Sequence, residues 1–108
     1  MSNTFKSYPT ASIGTGDTTV YTGPASTQAI VLGLTLANLQ ASQVTASVKF
    51  QSGATTIYLV KNAPIPAGGT LVVVGVDAKV VVEAADLIIV NCSIAAGVDA
   101  LLSALEIA

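Results

Sequence analysis

Between residues 56 and 90 the chain alternates short apolar runs with clusters of turn-forming residues. The runs are residues 57–60, 71–74, 80–82 and 87–90 (IYLV, LVVV, VVV and LIIV). The clusters cover residues 62–69, 75–77 and 83–86, the first with two prolines and two glycines. Such spacing reads as strands, because β-branched side chains fit a pleated surface and Gly, Pro, Asn and Asp break it. No helix of ordinary length fits between those breakers. Residues 18–22 form another short β-branched run, closed by Gly23-Pro24. In residues 28–38 strict alternation places Ile30, Leu32, Leu34 and Leu36 on one face, expected to be the core face. Ala29, Val31, Gly33, Thr35 and Ala37 fall on the other face, which is small-sided and hardly polar. In residues 44–50, Val44, Ala46, Val48 and Phe50 are expected inward. Residues 55–61 should return antiparallel after a turn at Ser52-Gly53.

Two segments are harder to place. Residues 98–107 fit a helix with Val98, Leu101, Leu102 and Leu105 on one side. They also fit a strand with Asp99, Leu101, Ser103, Leu105 and Ile107 on one face, and the β character of the rest favours the strand. Residues 1–15 are small and polar apart from Phe5, Tyr8 and Ile13. They are expected to form an arm, either frayed or docked through Phe5 and Tyr8 onto a neighbouring subunit. The expected organisation is therefore an arm over 1–15 and one domain over 16–108. Its class is all-β, a single antiparallel β-sandwich of about eight strands, jelly-roll or immunoglobulin-like.

In a lone sandwich each strand alternates one buried with one wet position. The runs at 71–74, 80–82 and 87–90 do not alternate, so each puts apolar side chains outward whichever face is buried. A contiguous apolar patch of that kind marks an interaction surface. The sequence therefore predicts contacts at Phe5, Tyr8, Tyr58, Val72, Val74 and Val81, and a homo-oligomer, trimeric or otherwise. The alternative is cover within the chain, by residues 62–69 or by the arm.

Composition sharpens this picture. Only 9% of the 108 residues are charged, against about 25% in ordinary soluble domains. The mean hydropathy of +0.73 would suit a membrane protein. The longest candidate span, residues 29–37, is nine residues long, includes Gly33 and Thr35 and alternates, where a spanning helix needs about 20 apolar residues. The runs are also short for an outer-membrane barrel. No membrane role is expected, and the opening residues lack the apolar stretch of a secretory signal. The four lysines are scattered and there is no arginine, so no basic stripe suggests nucleic acid.

Chemistry is sparse. Without histidine, Ser-His-Asp and Cys-His arrangements are unavailable. Cys92 lies in an apolar run, as an inert core thiol does. Asp77, Glu83 and Asp86 sit near successive turns, but without the spacing of a calcium loop. The expectation is no enzyme, no metal and no cofactor.

Three phrases carry a resemblance: VYTGPASTQAIVLGLTLAN, TTIYLVKNAPIPAGGTLVVVG, and KVVVEAADLIIV with the terminal VDALLSALEI. Together they span residue 18 to the C-terminus. The chain resembles small structural proteins of tailed bacteriophage virions, of the marine and cyanobacterial phage type. That family usually has glycine in the turn where this chain has Ala85. The resemblance implies a β-sandwich without enzymatic activity, assembled in the host cytoplasm into the virion. It implies a capsid decoration or cement protein that binds the major capsid protein, or else a neck, tail, baseplate or fibre-attachment component. A host-glycan-binding module, with Tyr21 and Tyr58 as platforms, is the reading from a different class.

Overall fold

The computed structural model describes residues 3–75 and 79–108. Those residues form nine strands and no helix. In chain order they are β1 (Asn3–Ile13), β2 (Thr18–Thr22), β3 (Gln28–Asn38), β4 (Val44–Ser52), β5 (Thr55–Ile65), β6 (Thr70–Val74), β7 (Val80–Val82), β8 (Leu87–Cys92) and β9 (Val98–Ile107). One sheet has the order β1-β9-β3-β6, with β7 also pairing β3. The other has the order β2-β8-β4-β5. All pairings are antiparallel. The β4–β5 hairpin lies innermost in the chain, and β3 with β6, β2 with β8 and β1 with β9 nest around it. This is a long hairpin rolled so that alternate strands fall in opposite sheets, the strand order of a jelly roll. An immunoglobulin-like order is thereby excluded.

The inner faces supply a continuous core that includes Ile13, Val31, Leu34, Leu36, Val48, Ile65, Val82, Ile88, Val90 and Leu102. Strand β9 alternates without interruption. Val98, Ala100, Leu102, Ala104 and Glu106 are buried between the sheets, and the residues between them face outward. The strand reading of residues 98–107 holds because each sheet neighbour of β9 is itself a long strand.

Strand β3 departs from strict alternation. Val31 pairs with Ala104 and Gly33 with Ser103, which leaves Leu32 as an extra residue. A bulge of one residue reverses the facing of everything beyond it. Ala29 and Val31 are therefore buried before the bulge, and Leu34, Leu36 and Asn38 after it. Ile30 and Leu32, expected in the core, are only partly covered. Strand β6 has a matching irregularity opposite, with Leu34 on Val74 but Thr35 on Val72. Val73 is the extra residue, so Val74 turns inward and is buried.

Residues 62–65, expected to begin a loop, continue β5. Asn62 adopts a positive φ of 51° at a register shift opposite Ser47. The Ser47 hydroxyl accepts the Asn62 backbone N–H at 2.9 Å. Asparagine tolerates this left-handed conformation better than most residues. Pro64 fits because β5 is an edge strand, where a missing donor costs no ladder bond. The true connection is the tight turn 66–69, closed by the Gly69 N–H on the Pro66 carbonyl at 2.9 Å. Gly68 occupies its φ of 68°, the left-handed position of a type II turn. Buried Asn38 pins this end: its side-chain amide N–H groups reach the carbonyls of Ser42, Ile65 and Pro66.

Residues 83–86 form a second turn of the same type, with the Asp86 N–H on the Glu83 carbonyl at 3.1 Å. Its left-handed residue is Ala85, with φ of 70°. The turn thus keeps the conformation that glycine favours, although the side chain is alanine. An L-residue there carries about 1–2 kcal/mol of strain, partly offset by the greater backbone entropy glycine loses on folding. Ala85→Gly is expected to stabilise the fold by roughly 0.5–1 kcal/mol, read as a melting temperature raised by about 2–6 °C. An unchanged or lowered melting temperature would contradict the strain argument.

Candidate functional site

The outer faces of the two sheets differ in chemistry. On the β2-β8-β4-β5 sheet, Lys49 binds Asp17 at 2.8 Å, and Asn91 donates to the same carboxylate at 2.6 Å. The Lys49 bond, then the Asn91 bond, hold the Asp17 carboxyl below its ordinary range despite slight desolvation. Tyr58 lies between two lysines, with the ammonium of Lys61 5.2 Å and that of Lys49 5.8 Å from its ring centre. Leu87 and Ile89, the outward members of the 87–90 run, also lie here opposite Gln51 and Lys49, but Ile89 is nearly covered, so this face is the more polar of the two and is internally paired.

The outer face of the β1-β9-β3-β6 sheet is apolar, and the register shows how. One row crosses it as Phe5, Leu105, Ile30 and Val81, each paired with the next. A second row is Pro9, Leu101, Thr35 and Val72. Between them lies a low saddle of Ser7, Ser103 and Gly33. Phe5 is 75% exposed, Val72 60% and Val81 59%. Among the described residues the ionisable side chains of the face are Lys79, at the β6–β7 edge, whose ammonium donates to the Gly75 carbonyl at 2.7 Å, and Asp99, whose carboxylate accepts the Ser12 N–H at 2.8 Å. An open groove of about 320 Å³ runs beside it, lined by Pro9, Thr35, Ala37, Asp99 and Leu101 among others.

Of the six predicted contacts, Phe5, Val72 and Val81 come together on this face. Tyr58 is exposed but stands on the opposite, polar face. Val74 is buried in the core, because the β6 bulge turns it inward. Tyr8 is half-buried between the sheets, not offered to a neighbour. Over residues 3–13 the expected arm is β1 itself, an edge strand laid along β9 from Asn3–Ile107 to Ile13–Val98. It forms part of the apolar face and does not cover it. Residues 62–65 belong to the other sheet and do not cover it either. Their spacing in a strand puts Leu101 and Leu105 on one face. Only the register shows that this face adjoins Phe5 and Ile30.

A second feature lies inside the sandwich, near the β1 edge. Glu106 is buried, and one of its carboxylate oxygens accepts the hydroxyls of Tyr8 at 2.5 Å and Tyr21 at 2.7 Å. The two rings meet edge to face, their centres 5.0 Å apart. Lys6 stands 4.0 Å from the other carboxylate oxygen. Burial pushes the Glu106 carboxyl upward, but the two tyrosine bonds and Lys6 outweigh it, and the group stays below its ordinary range. Burial, then the Glu106 bond, pushes Tyr8 up to about 12 and raises Tyr21 as well. Tyr8 and Glu106 belong to one sheet and Tyr21 to the other, so the cluster clasps the open side of the sandwich. Both tyrosine hydroxyls find their partner within the cluster.

Glu83 and Asp86 share the turn at residues 83–86, where the buried Asp86 carboxylate accepts the Glu83 N–H at 3.0 Å. Asp77 lies outside the described residues. Among the described residues no group of three or more His, Cys, Asp or Glu side chains is placed to hold a metal ion. No helix among them is long and apolar enough to cross a membrane. Cys92 is buried, its sulfur 3.2 Å from the Ile13 carbonyl and 3.0 Å from that of Ile94. No family model, no curated protein and no solved structure matches the chain.

Proposed function

We propose that the protein is a structural subunit of a tailed-phage virion, a capsid decoration or cement protein that works by being assembled against other protein. The observation that carries this reading is the outer face of the β1-β9-β3-β6 sheet. Phe5, Leu101, Val72 and Val81 remain exposed there, and no part of the described chain covers them. Monomeric soluble domains seldom leave so continuous an apolar surface open. The jelly roll is a fold of viral capsid proteins, although lectins and cupins share it, so the fold alone does not choose. The sequence resemblance to phage structural proteins supplies the choice of particle. The glycan-binding reading loses one of its two platforms, because Tyr21 is buried.

Two measurements test this. Val72→Lys and Val81→Lys are expected to abolish assembly and leave circular dichroism unchanged, since both side chains are solvent-facing in the isolated chain. The purified protein is expected to sediment with heads separated from tailed-phage particles stripped of accessory proteins. Sedimentation with tails alone would move the subunit to the neck, tail or baseplate. Sedimentation with neither would overturn the virion role.

A further inference from the structure

We infer that the apolar outer face of the β1-β9-β3-β6 sheet is covered by the same face of a second copy of this chain. The twofold axis lies in the interface, across the strands, along the Ser7–Ser103–Gly33 saddle. The inference rests on the assembled-subunit reading above and names its partner.

Size is the first argument. The face is four strands wide and about ten residues long. At ~4.8 Å per strand and ~3.4 Å per residue this is roughly 650 Å² in projection. A standard stable interface covers about 800 Å² of accessible surface on each partner, and side-chain relief brings the two figures together. One face against its own copy is therefore large enough for a stable dimer.

Charge is the second argument. A partner with a charged patch would find only Asp99, already bonded to Ser12, and Lys79 at the β6–β7 edge, already bonded to the Gly75 carbonyl. A neutral apolar surface suits this face, and an identical face has that character.

Register is the third argument, and it selects the axis. Counting outward from the saddle, the Phe5–Leu105–Ile30–Val81 row lies two residues away on one side. The Pro9–Leu101–Thr35–Val72 row lies two residues away on the other. A twofold axis along the saddle lays each apolar row on the opposite row of its partner. Two residues further out, the Asn3–Ile107–Gln28 row balances the Asp99–Ala37 pair. The same axis sets each Asp99 facing the partner's Asn3–Ile107–Gln28 row, whose amides are hydrogen-bond donors. An axis parallel to the strands would instead gather both Asp99 carboxylates at one end, where like charges repel. The first orientation thus matches the apolar rows and keeps the two Asp99 carboxylates apart, as an isologous interface requires. The resulting dimer keeps the two polar sheet faces outward.

The test uses the purified chain in light scattering across a dilution series, combined with site-specific crosslinking. A dimer is expected that Val81→Lys weakens at least about 30-fold, the loss of a central interface contact. Ser103→Cys sits on the axis and is expected to join to its own copy through a short bismaleimide. Packed sheets stand ~10 Å apart, beyond the reach of a disulfide. Thr45→Cys on the polar face is expected to give no crosslink, and the native Cys92 is buried. Circular dichroism confirms that each variant is folded. A monomer at high concentration, or a dimer indifferent to Val81→Lys and uncrosslinked at Ser103→Cys, overturns this interface. A chain that fails to dimerise but sediments with phage heads loses the dimer and keeps the virion role. A chain that dimerises as described but sediments with neither heads nor tails keeps the dimer and loses the virion role.

Discussion

Gly23→Ala is expected to be among the most damaging single changes in this protein, costing more than about 4 kcal/mol, the size reserved for severe steric or core defects. A β-carbon at Gly23 would stand 2.0 Å from the carbonyl oxygen of Glu83 and 2.9 Å from its carbonyl carbon. The obstacle is backbone, so no side chain can swing aside. Neither chain can retreat. The Gly23 N–H donates to the Asp86 carbonyl at 2.8 Å, and the Gly23 carbonyl accepts the Ala85 N–H at 2.9 Å. Moving either segment breaks both bonds. With a net stability of about 5–15 kcal/mol for an ordinary domain, the variant is expected in the insoluble fraction or with a much lower denaturation midpoint. Gly16→Ala is the control, because nothing lies within 4 Å of a β-carbon there. Equal midpoints for the two variants would contradict the close-approach argument.

The second large effect is expected at Glu106. Glu106→Ala removes the acceptor of two tyrosine hydroxyls and leaves the buried Tyr21 hydroxyl unpartnered. Hydrogen bonds to a charged group contribute about 1.5–3 kcal/mol each, so a loss of about 3–4 kcal/mol is expected in chemical denaturation. The cluster also shapes the pH profile. The Glu106 carboxyl is held below its ordinary 4.5 in the folded chain. Its contribution is therefore complete above pH 4.5 and is lost as pH falls through the lower folded value. Tyr8 behaves in the opposite sense. Its hydroxyl is raised from 10.0 to about 12, so its contribution is complete below pH 10.0 and is lost as pH climbs toward 12. Melting temperature measured against pH should fall at both ends. Glu106→Gln should flatten the acid limb, and Tyr8→Phe should make the alkaline limb shallower, leaving the part due to Tyr21. Unchanged limbs in both variants would show that the clasp contributes nothing to stability.

The sheet class and most strand positions are legible along the chain, because they rest on local periodicity and local breakers. The inward set of β4, the β4–β5 hairpin and the outward Val72 and Val81 all follow from alternation alone. What alternation cannot reveal is a bulge. Leu32 and Val73 each add one residue to a strand, and the pattern on either side looks the same whichever face is inside. Ile30 and Val74 are misplaced for that reason. Asn62 and Pro64 mislead differently. They are turn formers by type, yet one sits at a left-handed irregularity and the other on an edge, both tolerated within a strand. The Glu106 clasp leaves no trace in the sequence. Tyr21 and Glu106 lie 85 positions apart, and only the rolled topology brings them together. The apolar face is half legible. Its side chains are visible as excess hydrophobicity, but their assembly into two level rows depends on the register of β9 between β1 and β3.

The pairing of β1 with β9 also sets an order of events at the ribosome. The larger sheet contains no pair of strands adjacent in sequence apart from β6 and β7, which both lean on β3. Strand β1 is made early and has no sheet partner until β9 has emerged. Of the four-stranded sheet, only the β4–β5 hairpin can close at once. Folding that depends on such distant pairings is slow. Until β9 arrives, the nascent chain must hold Phe5 in solution without its ladder, and Ile30 and Val31 with only their β7 partners, and this interval is when the protein most needs protection from aggregation.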